Sequence, residues 1–293
     1  MGSALPIVKM HGLGNSYVFV DLMDGKVPQE LADWPALARA VSDPGTGVGA
    51  DGLILIERGV QAPVRMRIFN ADGSEGEMCG NGIRCLAMYV HQTGRAPERF
   101  VVETAAGPRP VEVVESVRFG RARVRVDMGA PHSTGPAGVA LGQPVTLQVD
   151  PHGPLTVWPV SVGNPHAVMF VEDTARAPVR ELGPLLERHP MFPGRVNVEF
   201  VTVVAPERLR MRVWERGSGE TRACGTGACA SLVAAALSGR AARRATVELL
   251  GGPLEVEWTE QGRILMVGPA ELVFQGELDS GWLSRALGKE QGA

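Results

Sequence analysis

Lysine is scarce in this chain of 293 residues, in which only Lys9, Lys26 and Lys289 occur among 29 basic side chains. Pyridoxal-dependent enzymes hold their cofactor as a Schiff base on a lysine. Lys26 lies in a turn-like Asp-Gly-Lys and Lys289 in a polar C-terminal segment, which leaves Lys9 as the candidate. The sequence therefore argues against pyridoxal chemistry.

Long apolar runs and strong net charge are also missing. No run approaches the roughly 20 apolar residues that span a bilayer, and the first ten residues carry no secretory signal pattern. The net charge is −3, which offers no basic surface for nucleic acid. The chain is 44% hydrophobic and 21% charged, the composition of a folded globular protein. We expect a cytoplasmic protein with neither a nucleic acid nor a membrane as partner.

Cysteine is rare, with four residues in two pairs: Cys79 with Cys85, and Cys224 with Cys229. In a cytosolic protein such pairs indicate catalysis or metal binding more often than disulfides. The pairs are six and five residues apart, unlike the two-residue gap of common zinc knuckles. A structural zinc site built from all four thiols stays open as a poorly spaced alternative, and we expect no metal.

The chain contains an internal repeat at an offset of 145 residues. The match runs without a gap from Arg67/Arg212 to Glu112/Glu257 and includes 15 identities in 46 pairs, where composition alone would give about three or four. Cys79 aligns with Cys224, and each is followed by Gly-x-Gly. A period of this length indicates duplicated domains rather than a solenoid.

Each copy is predicted to form a strand, a polar loop, a helix and a further strand. The helices are expected over Ile83–Gln92 and Gly227–Leu237, each ending before a glycine, and the last strand near Glu271–Phe274. The fold class is α/β of the α+β type, with two pseudosymmetric domains that each wrap a mainly antiparallel sheet around a central helix. We predict domains at residues 1–128 and 129–274, and the 275–293 tail could return to the first.

Cys79 and Cys224 both precede the start of a predicted helix, where free backbone N–H groups and the helix dipole favour negative charge. A thiol at that position is expected to have a lowered pKa, and the glycines let a carboxylate approach the backbone amides. Two such halves facing each other could invert a carbon next to a carboxylate with two thiols and no cofactor. Cys85 and Cys229 lie inside the helices and are expected to be buried apolar residues.

The chain resembles the diaminopimelate epimerase family over almost its full length. The resemblance rests on MHGLGNSY at Met10–Tyr17, GVGADGL at Gly47–Leu53, the cysteine segment Phe69–Cys85, GNPH at Gly163–His166, RVN at Arg195–Asn197 and the cysteine segment Glu215–Ala230. It implies two pseudosymmetric domains with the active site in the cleft between them. It also implies epimerisation of LL-diaminopimelate to the meso form, in lysine and cell-wall biosynthesis, without a cofactor.

The resemblance implies a role for thirteen residues. Cys79 and Cys224 would be the catalytic acid/base pair, and His166 and Glu215 would adjust the protonation of the thiols. The positions matching the family's substrate contacts are Asn15, Asn70, Gly80, Asn81, Asn164, Asn197, Glu215, Arg216, Gly225 and Thr226. Arg216 can bind a carboxylate through its planar guanidinium, and asparagines can both donate and accept, which suits a substrate with an amino acid group at each end.

Two positions depart from the family pattern: Ser16 stands where Asp is expected, and Gly52 where some members carry a polar side chain. The rival functions are a proline or hydroxyproline racemase and a thiol redox or metal-binding protein. Asn81 argues against the first rival, since such racemases resemble Cys-Gly-His-Gly at this site. The oligomeric state stays open, with a homodimer as the candidate.

Overall fold

The computed structural model describes residues 4–25 and 33–288, and these divide into two compact units. Unit 1 contains the described residues up to Val126 and those from Pro269 onward, and unit 2 contains Asp127–Gly268. The sequence-based ranges, 1–128 and 129–274, differ from this division mainly in the stretch 269–274. The expectations for Lys26 and Lys289 lie outside the described residues.

The described chain contains seventeen strands and five α-helices. The first ten elements are β1 (Leu5–Gly12), β2 (Asn15–Asp21), α1 (Trp34–Ser42), β3 (Gly52–Arg58), β4 (Val64–Asn70), β5 (Glu75–Gly76), α2 (Gly80–Gln92), β6 (Arg99–Glu103), β7 (Arg109–Arg118) and β8 (Arg121–Gly129). The next are β9 (Val145–Val149), β10 (Gly153–Ser161), β11 (Pro165–Phe170), α3 (Val179–Glu187), β12 (Asn197–Ala205), β13 (Arg208–Glu215), β14 (Gly219–Thr221), α4 (Gly225–Leu237), β15 (Arg244–Leu249), β16 (Gly252–Trp258), β17 (Ile264–Leu278) and α5 (Ser280–Ala286).

The sheet of unit 1 is mainly antiparallel, as predicted. Its strands follow the order β17–β1–β2–β3–β4–β6–β7–β8, and β8 pairs again with β17. Only β2–β3 and β4–β6 are parallel among the registered pairs of this unit. The central helix α2 packs against β1, β2 and β7. Every residue of α2 from Gly80 to Val90 is buried, which is the pattern of a helix enclosed on all sides.

Unit 2 repeats the element order of unit 1. The run β10–β11–α3–β12–β13–β14–α4–β15–β16–β17 corresponds to β1–β2–α1–β3–β4–β5–α2–β6–β7–β8. The parallel pairs recur at equivalent places, as β11–β12 and β13–β15. The helix α4 packs against β10 to β13, β15 and β16. The prediction of two similar α+β units around central helices is confirmed.

A second helix covers the outer side of each sheet. In unit 1, α1 is capped by Asp33, whose side chain accepts the Ala36 N–H, and its buried face joins a core cluster with residues of β1 to β4. In unit 2, α3 contributes Leu182 and Leu186 to the equivalent cluster. Strands β3 and β12 are therefore covered on both faces.

Three predicted elements differ in their bounds. The helices α2 and α4 begin at Gly80 and Gly225, rather than Ile83 and Gly227, because each cysteine is itself the N-cap. The last strand is also longer than predicted, since β17 extends from Ile264 to Leu278. Within the described residues, no helix has the length and apolar character needed to cross a membrane.

Candidate active site

Cys79 and Cys224 occupy equivalent positions at the start of the two central helices. Cys79 caps α2 with extended backbone angles (φ −130°, ψ 121°), and its Sγ accepts the Gly82 N–H at 3.4 Å. Cys224 caps α4 with similar angles (φ −125°, ψ 109°), and its Sγ lies 3.5 Å from Thr226 Oγ1. Neither sulfur is joined in a disulfide. Each sulfur therefore lies at the positive end of a thirteen-residue helix.

The structure brings Asn15 and Asn81 to Cys79. Asn15 Oδ1 lies 3.5 Å from Cys79 Sγ and accepts Asn81 Nδ2 at 3.0 Å. Asn15 Nδ2 donates to Asp51 Oδ2 at 3.0 Å, and the same carboxylate oxygen accepts the Ser16 backbone N–H at 2.6 Å. Asp51 thus fixes the Asn15 amide so that its oxygen faces the thiol. Asp51 was missed as a site residue, although it lies in the GVGADGL motif.

Two buried cations support this arrangement in unit 1. Arg84 is fully buried, and it donates to Asn81 Oδ1 at 2.9 Å, to Gly80 O at 3.0 Å and to Pro269 O at 3.1 Å. Lys9 donates to Gly49 O in the loop that carries Asp51, and burial lowers its pKa while Asp51 opposes that shift. The loop and the helix start are therefore held from within the unit.

Asn70 and Gly52 behave differently from the other predicted positions. Asn70 is exposed at the end of β4 and donates to Ser74 Oγ at 3.0 Å. Gly52 lies opposite Asn70 in the β3–β4 ladder, and a Cβ at Gly52 would come within 2.2 Å of Phe69 O. The backbone thus leaves no room for a side chain at residue 52, which gives the departure from the family pattern a steric cause.

In unit 2, a chain of polar contacts leads from Thr226 to a buried ion pair. Asn164 Nδ2 donates to Thr226 Oγ1 at 3.2 Å, and Asn164 Oδ1 lies 2.9 Å from His166 Nε2. His166 Nδ1 lies 2.6 Å from Glu199 Oε1, and both side chains are fully buried. The predicted residues Asn164, His166 and Thr226 are therefore brought together. Glu199 was missed, although it follows the RVN motif by two residues.

Asn197 connects the other predicted residues of unit 2. Its Nδ2 donates to Pro165 O at 3.0 Å, and its Oδ1 accepts the Arg216 backbone N–H at 2.9 Å. The exposed Arg216 side chain donates to Gly194 O at 3.0 Å. Asn197 thus positions the backbone from which the Arg216 guanidinium extends.

Burial raises the pKa of Cys224 well above that of an ordinary thiol, and the Glu215 and Glu199 carboxylates add to the increase. Hydrogen bonds with Thr226 and the Gly227 N–H oppose this shift without cancelling it. The lowered thiol pKa expected from the helix start is therefore wrong for Cys224. Only 5% of this residue is exposed, and loss of hydration outweighs the helix dipole.

The pKa of Glu215 is raised as well. Burial raises the pKa of its carboxyl group, while hydrogen bonds from Thr221 and Cys224 lower it. Thr221 Oγ1 donates to Glu215 Oε1 from the short strand β14. Glu215 is consequently fixed beside Cys224 with a carboxyl pKa above its ordinary value.

Cys85 and Cys229 lie inside α2 and α4 and are fully enclosed. Burial raises the pKa of Cys85 to about 12, so its thiol stays protonated at neutral pH. The described residues contain no group of three or more His, Cys, Asp or Glu side chains placed to hold a metal ion. The interior thiols thus have the environment of core residues.

The structure places this chain in a known fold class. A solved hydroxyproline epimerase from Agrobacterium vitis, with bound trans-4-hydroxy-L-proline, superposes with a TM-score of 0.68. The alignment covers 96% of this chain and 94% of that one, at 16% sequence identity. At this identity the likeness shows the fold alone, which is the duplicated α+β fold of that epimerase.

Sequence comparison then identifies the family. The family described as diaminopimelate epimerase matches residues 7–134 and 159–273. The diaminopimelate epimerase of Moorella thermoacetica is 52% identical over 283 residues, which cover 92% of this chain and 98% of the relative. That of Pelotomaculum thermopropionicum is 50% identical over 278 residues, covering 92% and 97%. The chain belongs to the diaminopimelate epimerase family, and it is an isomerase.

Proposed function

We propose that this enzyme interconverts LL- and meso-diaminopimelate by a two-base proton transfer in which Cys79 and Cys224 are the acid/base groups. The observation that carries the proposal is that a cysteine caps the central helix at the same position of each unit, and that neither cysteine is joined in a disulfide. Relatives about half identical over nearly the whole chain bear the name of this activity. The product would serve lysine and cell-wall biosynthesis.

The proposed reaction needs two thiols in opposite protonation states. A thiolate removes the α-proton and becomes a thiol, while the other thiol donates its proton to the opposite face of the same carbon and becomes a thiolate. Protons and charge balance without a redox step or a cofactor. The raised pKa of Cys224 favours its thiol over its thiolate, which suits the role of proton donor.

Backbone amides at the two helix starts would stabilise the intermediate. Removal of the α-proton moves negative charge onto the substrate carboxylate, and preorganised N–H donors stabilise such charge strongly in a dry site. The segments Gly80-Asn81 and Gly225-Thr226 supply N–H groups next to each thiol. We therefore assign the α-carboxylate to these amides.

The remaining predicted contacts would bind the distal amino acid group. Arg216 offers an exposed guanidinium for a carboxylate, and the asparagines at 15, 70, 164 and 197 offer both donors and acceptors. A shorter amino acid would leave these groups unpaired, which disfavours it. His166 and Glu215 would adjust the protonation of the thiols.

Hydrogen exchange tests the proposed activity directly. In D₂O, the enzyme should introduce deuterium at the α-carbon of LL-diaminopimelate while the meso form accumulates, as followed by ¹H NMR. Exchange on proline or trans-4-hydroxyproline, with none on diaminopimelate, would replace the proposal with the racemase alternative. Stoichiometric zinc in the purified active protein would favour the metal-binding alternative.

Oxidation tests whether the two thiols serve one carbon. Sulfur atoms that flank one α-carbon are close enough for a mild oxidant such as diamide to join them with loss of activity. Peptide mapping by mass spectrometry should find Cys79 linked to Cys224, and reduction should restore the activity. Inactivation with both thiols still free would contradict the shared site.

A further inference from the structure

The buried pair of Glu199 and His166 neither gives nor takes a proton in the reaction proposed above. Glu199 extends from β12 and His166 from β11, and these strands are parallel neighbours. Both side chains are fully buried, and Glu199 Oε2 has no hydrogen-bond partner among the described residues. A buried carboxyl group that is only half satisfied is costly, so the pair requires a physical explanation.

Hydrogen-bond directions fix where the protons lie. Asn164 donates its Nδ2 to Thr226 Oγ1, so its Oδ1 is the atom facing His166. His166 Nε2 must then carry a hydrogen and donate. One further proton lies in the 2.6 Å hydrogen bond between Nδ1 and Glu199 Oε1. The pair has no net charge whether this proton is on the nitrogen or on the oxygen.

The equivalent position in unit 1 carries no charge. At the offset of 145, Glu199 corresponds to Ile54, and each side chain fills the space beside the second glycine after the cysteine. A Cβ on Gly227 would come within 2.8 Å of Glu199 Oε1, and one on Gly82 within 2.4 Å of Ile54 Cδ1. An isoleucine therefore fills the equivalent space in unit 1. Packing alone does not require the carboxyl group of Glu199.

The imidazole is also specific to unit 2. The β2–β3 ladder pairs Val18 with Leu53, and the β11–β12 ladder pairs Ala167 with Val198. This register places Tyr17 where unit 2 has His166. The duplicated fold thus carries an acid–imidazole pair only beside the thiol that has the raised pKa.

We propose that Glu199 is a positioning residue: its carboxyl group holds His166 with Nε2 protonated, and His166 thereby orients the Asn164 amide toward Thr226 and the substrate. Without Glu199, the ring can move its proton to Nδ1. The bare Nε2 would then face Asn164 Oδ1 and repel it. The inference rests on the proposed function, because Asn164 is a predicted substrate contact.

Histidine NMR provides a readout that packing alone would not change. In protein labelled with ¹⁵N-histidine, His166→Gln identifies the His166 signals by their loss. In Glu199→Leu, the Nε2 signal of His166 should move toward that of an unprotonated ring nitrogen, whereas Glu199→Gln can donate its amide to Nδ1 and should keep Nε2 protonated. An Nε2 signal in Glu199→Leu that stays at the protonated wild-type position would overturn the proposal. This measurement needs no substrate, so it is independent of whether diaminopimelate is the substrate.

Kinetics complete the test in the full-length enzyme. Relative to the wild-type enzyme, Glu199→Leu should have a kcat/KM for LL-diaminopimelate that is lower by about a hundredfold, which is the cost of misplacing a contact by about an ångström. Glu199→Gln should lose much less, because the ring keeps its Nε2–H. Equal losses in the two variants would contradict the positioning role. Glu112→Leu is the matched control: it removes a half-buried carboxylate paired with Arg99 and Arg125 and should leave kcat/KM unchanged.

Discussion

At the scale of single residues, the two cysteines at the helix starts differ in burial. Cys79 is half-buried and its sulfur accepts the Gly82 N–H. Cys224 is nearly inaccessible and has two carboxyl groups nearby, which raise its pKa. Equivalent positions in the two units thus give thiols in different environments. This difference between the two thiols suits a reaction that needs one base and one acid.

Replacing either thiol should stop epimerisation. Cys79→Ser and Cys224→Ser each remove one of the two proposed acid/base groups, and such a group contributes about 10²- to 10⁴-fold to rate, so kcat should fall by at least that range. The change is measured by conversion of LL-diaminopimelate, with far-ultraviolet circular dichroism to check the fold. Cys229→Ala is the control, since this buried thiol lies inside α4. A Cys224→Ser enzyme with wild-type kcat would remove Cys224 from the mechanism.

The buried thiol of Cys85 should make stability depend on alkaline pH. Its folded pKa is about 12 and the unfolded value is about 8.5, so above pH 8.5 the unfolded chain loses this proton first. Unfolding is then favoured, by up to about 1.4 kcal/mol for each pH unit. Urea unfolding between pH 8 and 10 should show a shallower decline for Cys85→Ala than for wild type. Parallel declines would contradict the burial effect.

At the scale of elements, each central helix begins at a point of very close packing. The second glycine after each cysteine faces a side chain of the neighbouring strand, Ile54 in unit 1 and Glu199 in unit 2. A Cβ at either glycine would therefore force the neighbouring side chain to shift. The glycines thus allow the helix start, with its cysteine, to pack closely against the strand.

A double-mutant cycle can test this close packing. Gly82→Ala should destabilise the protein by about 1–3 kcal/mol, the typical cost of overpacking, because the new Cβ meets Ile54 Cδ1 at 2.4 Å. Ile54→Val removes that methyl group, so the double variant should recover part of the loss. Urea denaturation gives the free energies of unfolding. Additive effects of the two changes would mean that Ile54 is not the obstacle.

The central helices were predictable because characteristic residues mark both of their ends in the sequence. The Cys-Gly-x-Gly starts and the glycines at 94 and 239 mark both ends, and Gly94 has the positive φ of a residue that follows a helix end. The burial of Glu199 was not predictable from its strand. Alternation along β12 would place Asn197 and Glu199 on a solvent face, yet Asn197 to Val201 are all buried. The sheet is covered by α3 on one side and α4 on the other, which a local pattern does not reveal.

At the scale of the whole molecule, unit 1 is built from two separate segments of the chain, and unit 2 is inserted between these segments. Strand β17 begins in unit 2 and ends in unit 1, where it pairs with β1 from Leu5/Leu278 to His11/Glu271. The helix α5 follows and joins the unit 1 core through Leu283, with Trp282 packed beside it. Trp282 Nε1 also donates to Thr46 O at 3.0 Å. The predicted domain ranges placed 269–274 with the second half.

Shortening Leu283 should therefore weaken unit 1. Leu283→Ala removes a side chain that is 4% exposed, and such changes cost about 2–5 kcal/mol. Hydrogen exchange followed by mass spectrometry should show faster exchange in peptides of β1 and α1 than in those of β12 and α4. Leu250→Ala, at a residue 54% exposed, should change little. Uniformly faster exchange in both units would mean that α5 does not belong to unit 1 alone.

The return of β17 to β1 bears on how the polypeptide matures during translation. Unit 2 is one uninterrupted stretch, Asp127–Gly268, and can form as soon as it leaves the ribosome. Unit 1 must wait with the open edge of β1 until Pro269–Leu278 emerges, although most of its residues were synthesised first. The unit that carries Cys79 thus begins first along the chain and is completed last.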